Sequence, residues 1–483
     1  MSDLRKSLVY SVTSKYFGRL VALISVIIVS RLLTPDELGV YAIASALVLI
    51  AGELKSFGAG TYLIREKEID SETVGKALGV SCMISWSVGA LLVVSAWSIE
   101  QFYQKPDIAI IVVLLAASFF LAPHIGVGKS LLERDFRFSQ ILVIDIVSRL
   151  GQLASVVILI SLGLSYFSLA LSVIINNLLE LLLVLWFKPK YYQKLPAFKN
   201  THVIFKFGML VTVANFIRQI TRALPDLIIG KVGTSREVAF YSRGMGYINF
   251  LSMTINSGIR PVIGPYLSEK RRNRVDLIGP YLLTTKMMAG IMIPALAVSS
   301  YASYVVIVAM FGEQWIESAP LVSALCVATI IHNMIGMAIT VLITAGFERQ
   351  VLYRDIVLFC VTALSIYFLY PYGLQAVTYG AIGTATITFL ITISMLKRLM
   401  SFSIYKQVSV HFQNFAVAAI CVAAVAGVDQ FIDYKSIPVL VALLVVAIVS
   451  MTSWLGGVLL VRHPLGDEIL RVGVALKNKL MRA

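Results

Sequence analysis

The 483-residue sequence predicts an all-α integral membrane protein with about fourteen transmembrane helices, arranged as two pseudo-symmetric six-helix lobes plus two C-terminal helices. Three observations carry that expectation. Hydrophobic residues make up 58% of the chain and charged residues 14%, with a mean hydropathy of +0.85; soluble chains carry about 25% charged residues. Apolar runs long enough to cross a hydrocarbon core of roughly 30 Å recur from end to end. The basic residues fall between these runs with an alternating density.

Windows of about 19 residues place apolar segments at 11–33, 38–57, 77–99, 108–132, 141–162, 166–187 and 203–229. Seven more follow at 238–264, 281–311, 319–345, 356–370, 374–396, 412–431 and 437–461. Pro225 and Pro294 are compatible with membrane helices, because neighbouring helices satisfy the freed backbone groups. An even count puts both termini on one side. With the N-terminus cytoplasmic, twenty-seven of the 41 Lys and Arg residues lie in cytoplasmic segments, and only Arg31, Lys105, Lys231, Arg236 and Lys435 lie in the opposite loops. The positive-inside rule therefore assigns both termini to the cytoplasm. The net charge of +15 then reports mainly topology. Nucleic-acid binding is excluded, since no folded basic domain is left to host it. Anionic-lipid contact by 188–206 or by the tail is the functional alternative to a purely topological reading. The N-terminus runs straight into an apolar segment without an A-x-A-like cleavage pattern, so it is expected to remain as the first helix.

At an offset of 200 residues, Arg31-Leu-Leu-Thr-Pro-Asp-Glu-Leu-Gly-Val-Tyr41 lies over Lys231-Val-Gly-Thr-Ser-Arg-Glu-Val-Ala-Phe-Tyr241, matching Thr34 with Thr234, Glu37 with Glu237 and Tyr41 with Tyr241. Both stretches sit where an outward helix turns into a returning one. The match divides the chain into an N-terminal lobe at 1–187, a cytoplasmic linker at 188–206 and a C-terminal lobe at 207–398. Two further helices occupy 399–461, and a basic cytoplasmic tail follows at 462–483. A parallel repeat places the expected ligand cavity between the lobes.

Nine cations fall inside spans, where each costs roughly 2.5 to 3.5 kcal/mol on insertion scales. Arg243, Arg260 and Lys286 lie near helix ends and read as snorkelling. Lys15 with Arg19, and Arg218 with Arg222, form like-charged i, i+4 pairs in the first helix of each lobe, and Arg149 adds a third site. Like charges do not neutralise one another, so Lys15, Arg19, Arg149, Arg218 and Arg222 are the candidate binding set for an anion. Glu53, Asp145, Glu180 and Asp226 are candidates for ion coupling or charge balance. Asp145 with Arg149 and Arg222 with Asp226 also fit helix-packing ion pairs. Asn176, Asn249 and Asn256 suit sugar contacts or inter-helix hydrogen bonds, and His332 suits proton carriage or packing.

Catalytic and nucleotide signatures are missing. Gly126-Val-Gly-Lys-Ser130 imitates the end of a phosphate loop, but Pro123 stands where the first glycine belongs and no strand precedes it. The four cysteines are scattered without metal or disulfide spacing. No cofactor, no metal and no enzymatic activity are expected; any transport would draw on an ion gradient, the membrane potential or the substrate gradient.

Five stretches carry a family resemblance: Ser30-Arg-Leu-Leu-Thr-Pro-Asp-Glu-Leu-Gly39, Ser56-Phe-Gly-Ala-Gly60, Ile64-Arg-Glu-Lys-Glu-Ile69, Glu133-Arg-Asp-Phe-Arg-Phe138 and Phe311-Gly-Glu-Gln-Trp315. With them the chain resembles polysaccharide transporters of the multidrug/oligosaccharidyl-lipid/polysaccharide exporter superfamily, particularly Wzx-type lipid-linked oligosaccharide flippases of the colanic-acid exporter branch. The resemblance implies a bacterial inner-membrane protein that moves an undecaprenyl-diphosphate-linked oligosaccharide from the cytoplasmic to the periplasmic leaflet by alternating access. It also implies contact with membrane lipids and with a polymerase or other glycan-assembly proteins. A cation-coupled multidrug antiporter of the same superfamily is the alternative, and would call for a more acidic or aromatic cavity. A polytopic glycan-assembly enzyme is disfavoured by the short outer loops.

Overall fold

A computed structural model describes residues 2–55, 59–193, 195–198, 202–273, 277–400 and 402–471; the side chains of 2–8, 55, 202–214, 256–268 and 270 are outside the description. The described chain is helical throughout. It begins with α1 (Ser2–Leu32), α2 (Pro35–Lys55), α3 (Ala59–Arg65), α4 (Ser71–Tyr103), α5 (Ile108–Arg134), α6 (Phe138–Ser161), α7 (Phe167–Phe187), α8 (His202–Val232) and α9 (Ser235–Arg272). It continues with α10 (Ile278–Tyr301), α11 (Ser303–Phe311), α12 (Ser318–Asn333), α13 (Ala338–Ala345), α14 (Glu348–Leu369) and α15 (Leu374–Met400). The last three are α16 (Ile404–Val410), α17 (Phe412–Phe431) and α18 (Val439–Leu460).

Among the described residues, twelve helical stretches are long and apolar enough to cross a membrane. The expected segments 203–229 and 238–264 fall on α8 and α9, parts of whose side chains lie outside the description. Large apolar side chains such as Leu91, Val94, Leu444, Ile448 and Met451 point outward from the helices. A helix that exposes such residues while satisfying its own backbone suits a lipid surround. Pro225 and Pro294 are both accommodated inside continuous helices.

Two expected single spans are broken. Segment 281–311 is divided at Ala302 into α10 and α11, and segment 319–345 is divided between Asn333 and Ala338 into α12 and α13. At the second break Gly336 adopts φ +37°. Its freed carbonyls find side-chain donors: the Met334 carbonyl accepts from the Gln407 amide and from His411 Nε2 at 2.9 Å, and the Ile335 carbonyl from the Tyr281 hydroxyl at 3.3 Å.

The chain forms two compact units, Met1–Ser242 and Arg243–Ala483. In the first, α1 packs on α6, α6 on α7, α7 on α5, α5 on α4 and α2, and α2 on α8. In the second, α10 packs on α12 and α17, α12 on α15, α15 on α14, and α17 on α18.

The offset of 200 residues has a structural basis. Thr34 and Thr234 head α2 and α9 as reciprocal capping boxes. Glu37 accepts from the Thr34 amide at 2.7 Å and returns its own amide to the Thr34 hydroxyl at 3.4 Å; the Thr234 and Glu237 distances are 2.8 and 3.2 Å. The threonine and glutamate therefore match because each terminates the loop in the same way. At that end of the first unit, Lys105 Nζ donates to the Gly233 carbonyl at 3.0 Å and Lys231 to the Phe102 carbonyl, so two of the five cations expected in the opposite loops rest on helix C-termini.

Candidate functional site

The first unit builds a charged centre where α1, α5, α6 and α7 meet. Lys129 lies five residues before the end of α5, Asp145 seven residues into α6 and Glu180 seven residues before the end of α7. At about 1.5 Å of rise per residue, all three stand within about 10 Å of the same end of the bundle. The Lys129 ammonium lies 3.0 Å from Asp145 Oδ1 and 3.0 Å from Glu180 Oε2. The Ser14 hydroxyl of α1 donates to the other Asp145 oxygen, and Asn176 Nδ2 donates to Glu180 Oε1 at 3.5 Å. Glu133, on the last turn of α5, faces the charges of Lys129 and Lys15.

Arg149 does not pair with Asp145 as one expectation had it, because Lys129 occupies both carboxylates. Ser14 and Gly18 lie one turn apart on α1 and face Asp145 and Arg149, one turn apart on α6. A Cβ at Gly18 would stand 2.8 Å from Arg149 Cζ and Nε, so a side chain there would push the guanidinium off the α1 backbone. Among the described residues no carboxylate comes within ion-pair distance of Arg149. Arg19, next to Gly18, has its guanidinium carbon 5.8 Å from the Tyr16 ring centroid, and Lys15 is exposed one turn earlier. Three cations, Lys15, Lys129 and Arg149, thus meet three carboxylates, Glu133, Asp145 and Glu180, and Arg19 follows Gly18 on α1.

The remaining candidates are dispersed. Arg218 and Arg222 lie on α8, which packs on α2; Arg218 Nη2 donates to Asn215 Oδ1 at 2.6 Å. Asp226 accepts from the Ser242 hydroxyl at 2.5 Å. Glu53 is half-buried on the last turn of α2. Asn249 is exposed on α9 in the second unit, and the side chain of Asn256 lies outside the described residues. Among the described residues no group of three or more His, Cys, Asp or Glu is arranged to hold a metal ion. Residues 126–130 are α-helical, so the phosphate-loop lookalike is the last part of α5 carrying Lys129.

Several family-like stretches prove to be staples. Arg134 donates to the carbonyls of Leu63, Glu66 and Lys67 at 2.6, 2.6 and 3.0 Å, tying Glu133-Arg-Asp-Phe-Arg-Phe138 to the end of α3. Arg137 donates to the Phe187 carbonyl at 3.0 Å, closing the C-terminus of α7. In the second unit the Arg243 guanidinium stacks 6.0 Å from the Phe311 ring and 5.3 Å from the Trp315 ring, so it is held by aromatic faces as well as by its position near a helix end.

This arrangement defines a polytopic membrane protein. Solved structures share the fold: the lipid II flippase MurJ in an inward closed conformation, at TM-score 0.68 and 13% identity over 92% of this chain and 98% of that one, and an inward-facing multidrug resistance MATE transporter of the MOP superfamily, at 0.65 and 15% over 82% and 99%. A family model described as polysaccharide biosynthesis protein matches residues 28–320, and the chain belongs to that family. Its relatives include the teichuronic acid biosynthesis protein TuaB of Bacillus subtilis, 22% identical over 77% of both chains. The lipopolysaccharide biosynthesis protein WzxC of Escherichia coli is 21% identical over 65% of this chain and 64% of its own. The succinoglycan biosynthesis transport protein ExoT of Rhizobium meliloti is 23% identical over 66% and 65%.

Proposed function

We propose that the protein is a flippase that carries an undecaprenyl-diphosphate-linked oligosaccharide, or a related polysaccharide precursor, from the cytoplasmic to the periplasmic leaflet of a bacterial inner membrane, with both termini cytoplasmic. Family membership and the likeness to TuaB, WzxC and ExoT support the polysaccharide pathway. The observation that carries the substrate class is Arg149, lying on the Gly18 backbone beside Arg19 while Lys129 holds the nearby carboxylates. A guanidinium with its neighbouring acids already engaged is available to a diphosphate, which it binds through paired charge-assisted hydrogen bonds. Lys15, Arg218 and Arg222 complete the set on α1 and α8. Asp145 and Glu180, sharing Lys129 between them, set the local charge against which the anion binds.

Transport proceeds by alternating access, the repeated halves exposing the site to one leaflet and then the other. The test is glycan export by a strain whose only copy carries Arg218→Ala with Arg222→Ala. Export is lost while membrane abundance stays at the wild-type level; normal export in that strain would remove α8 from the binding set.

A further inference from the structure

The geometry points to an anionic-phospholipid docking face at the α7 end of the first unit, built by residues 186–193 and 195–198 and by the turn between α5 and α6. This stretch is not a loose connector. Lys188 and Tyr191 take φ values of 43° and 61°, turning the chain off the end of α7. Tyr192 then folds inward, its hydroxyl 3.4 Å from His124 Nδ1 and its ring against the helix at Gly128; burial pushes its phenol up to about 12. Five residues later the Ala197 amide donates to the Gly75 carbonyl at 2.9 Å. A Cβ at Gly79 would lie 2.0 Å from the Ala197 carbonyl oxygen, so Gly75 and Gly79 form a slot on α4 that the strap occupies. The Arg137 bond to the Phe187 carbonyl joins the α5–α6 turn to the same surface.

Pinning the backbone leaves a particular set of side chains facing out. Trp186 is 80% exposed, Leu195 81%, Phe198 53% and, from the α5–α6 turn, Phe136 64%. Lys188 and Lys190 are exposed among them, with Lys190 Nζ 4.9 Å from the Tyr191 ring. The sequence contains no Asp or Glu between Glu180 and Asp226, while Lys188, Lys190, Lys194, Lys199 and Lys206 fall in that interval. A helix cap needs no exposed tryptophan, and a solvated loop needs no cluster of exposed aromatics. Aromatic side chains at the end of membrane spans, interleaved with lysines in a stretch of sequence without Asp or Glu, fit the headgroup layer of an anionic leaflet even with Asp135 exposed on the neighbouring turn. Lys188 and Lys190 are exposed point charges, which suits a fluid layer of phosphodiester headgroups better than a single enclosed diphosphate.

Trp186 supplies the reporter. The full chain is placed in nanodiscs of equimolar phosphatidylcholine and phosphatidylglycerol with brominated acyl chains on one lipid or the other, and the Trp186 signal is taken as the difference from Trp186→Phe. Brominated phosphatidylglycerol quenches Trp186 more than brominated phosphatidylcholine, and the excess fades with added salt. Lys188→Gln with Lys190→Gln lowers the apparent preference about twenty-fivefold, from about fivefold per lysine. Equal quenching by the two lipids, or an unchanged preference in the double glutamine variant, overturns the proposal. So does displacement of the phosphatidylglycerol by one equivalent of a polyprenyl diphosphate, which would assign the face to a lipid-diphosphate headgroup instead. No transport step enters the readout, so the result is independent of the flippase reading.

Discussion

Removing the Lys129 ammonium tests the charged centre at its hinge point. Lys129→Met keeps the length and apolar stem of the side chain but leaves Asp145 and Glu180 without the cation that lies 3.0 Å from each. Breaking one partner of a fully buried pair costs about 3 to 5 kcal/mol. These three side chains are 16% to 23% exposed, so water screens part of the loss and about 2 kcal/mol is expected. That corresponds to about a thirtyfold shift in the unfolding equilibrium. The assay is detergent-driven unfolding of the purified protein in bicelles, followed by tryptophan emission. Lys129→Met combined with Asp145→Asn and Glu180→Gln removes all three charges and recovers to within about 1 kcal/mol of the wild type, because neutral amides keep much of the hydrogen bonding. A single variant as stable as the wild type, or a triple variant no better than the single, would refute the shared ion pair.

Three further outcomes follow from named contacts. His463 is buried, its Nε2 donates to Asn414 Oδ1 at 2.8 Å and its Nδ1 accepts the Leu465 amide at 3.2 Å, so protonation costs that last bond; burial, helped by the Lys286 charge, pushes the imidazole down to about 4 from 6.5. The unfolded chain binds the extra proton first, so stability is full above pH 6.5 and falls by up to about 3 kcal/mol towards pH 4, a slope that His463→Gln removes in unfolding titrations. Thr34→Ala and Thr234→Ala each cost about 1 kcal/mol, and near-equal losses in the same assay confirm that the two capping boxes are equivalent. Gly79→Val ejects the strap from its slot on α4, which appears as faster limited proteolysis within 188–198 and is absent in a control change at the exposed Leu195.

Helix placement was legible because the bilayer requires apolar length, and the fold likeness to flippases and multidrug exporters agrees with it. The matching helix starts at Thr34 and Thr234 were legible because capping chemistry restricts the residues that begin a helix. The breaks at Ala302 and at 334–337 were hidden inside apolar runs; Gly336, in the middle of one, was the single local cue. The charged cluster on α1, α5, α6 and α7 was legible only in outline. Charges inside spans singled out Arg149, Asp145 and Glu180, but Lys129 sits so near a helix end that it read as a topological cation. Its partners belong to other helices, α6 and α7, and which cation they meet depends on how α5, α6 and α7 pack. Gly18 was equally silent: its role appears only when α6 lies against α1 and brings Arg149 onto its backbone. The family-like arginines Arg134 and Arg137 turned out to fasten helix ends, which explains why such stretches mark the fold without marking a substrate.

The central claim is that the cationic face of α1 and α6 holds the diphosphate, and lipid-linked oligosaccharide flipping in proteoliposomes measures it directly. Loss of a charge-assisted contact is worth about 1.5 to 3 kcal/mol, so Arg149→Gln slows flipping by roughly tenfold to a hundredfold and Arg149→Lys by less, at equal reconstituted protein and unchanged thermal stability. Flipping at the wild-type rate by Arg149→Gln, alone and combined with Arg19→Gln, would contradict the account.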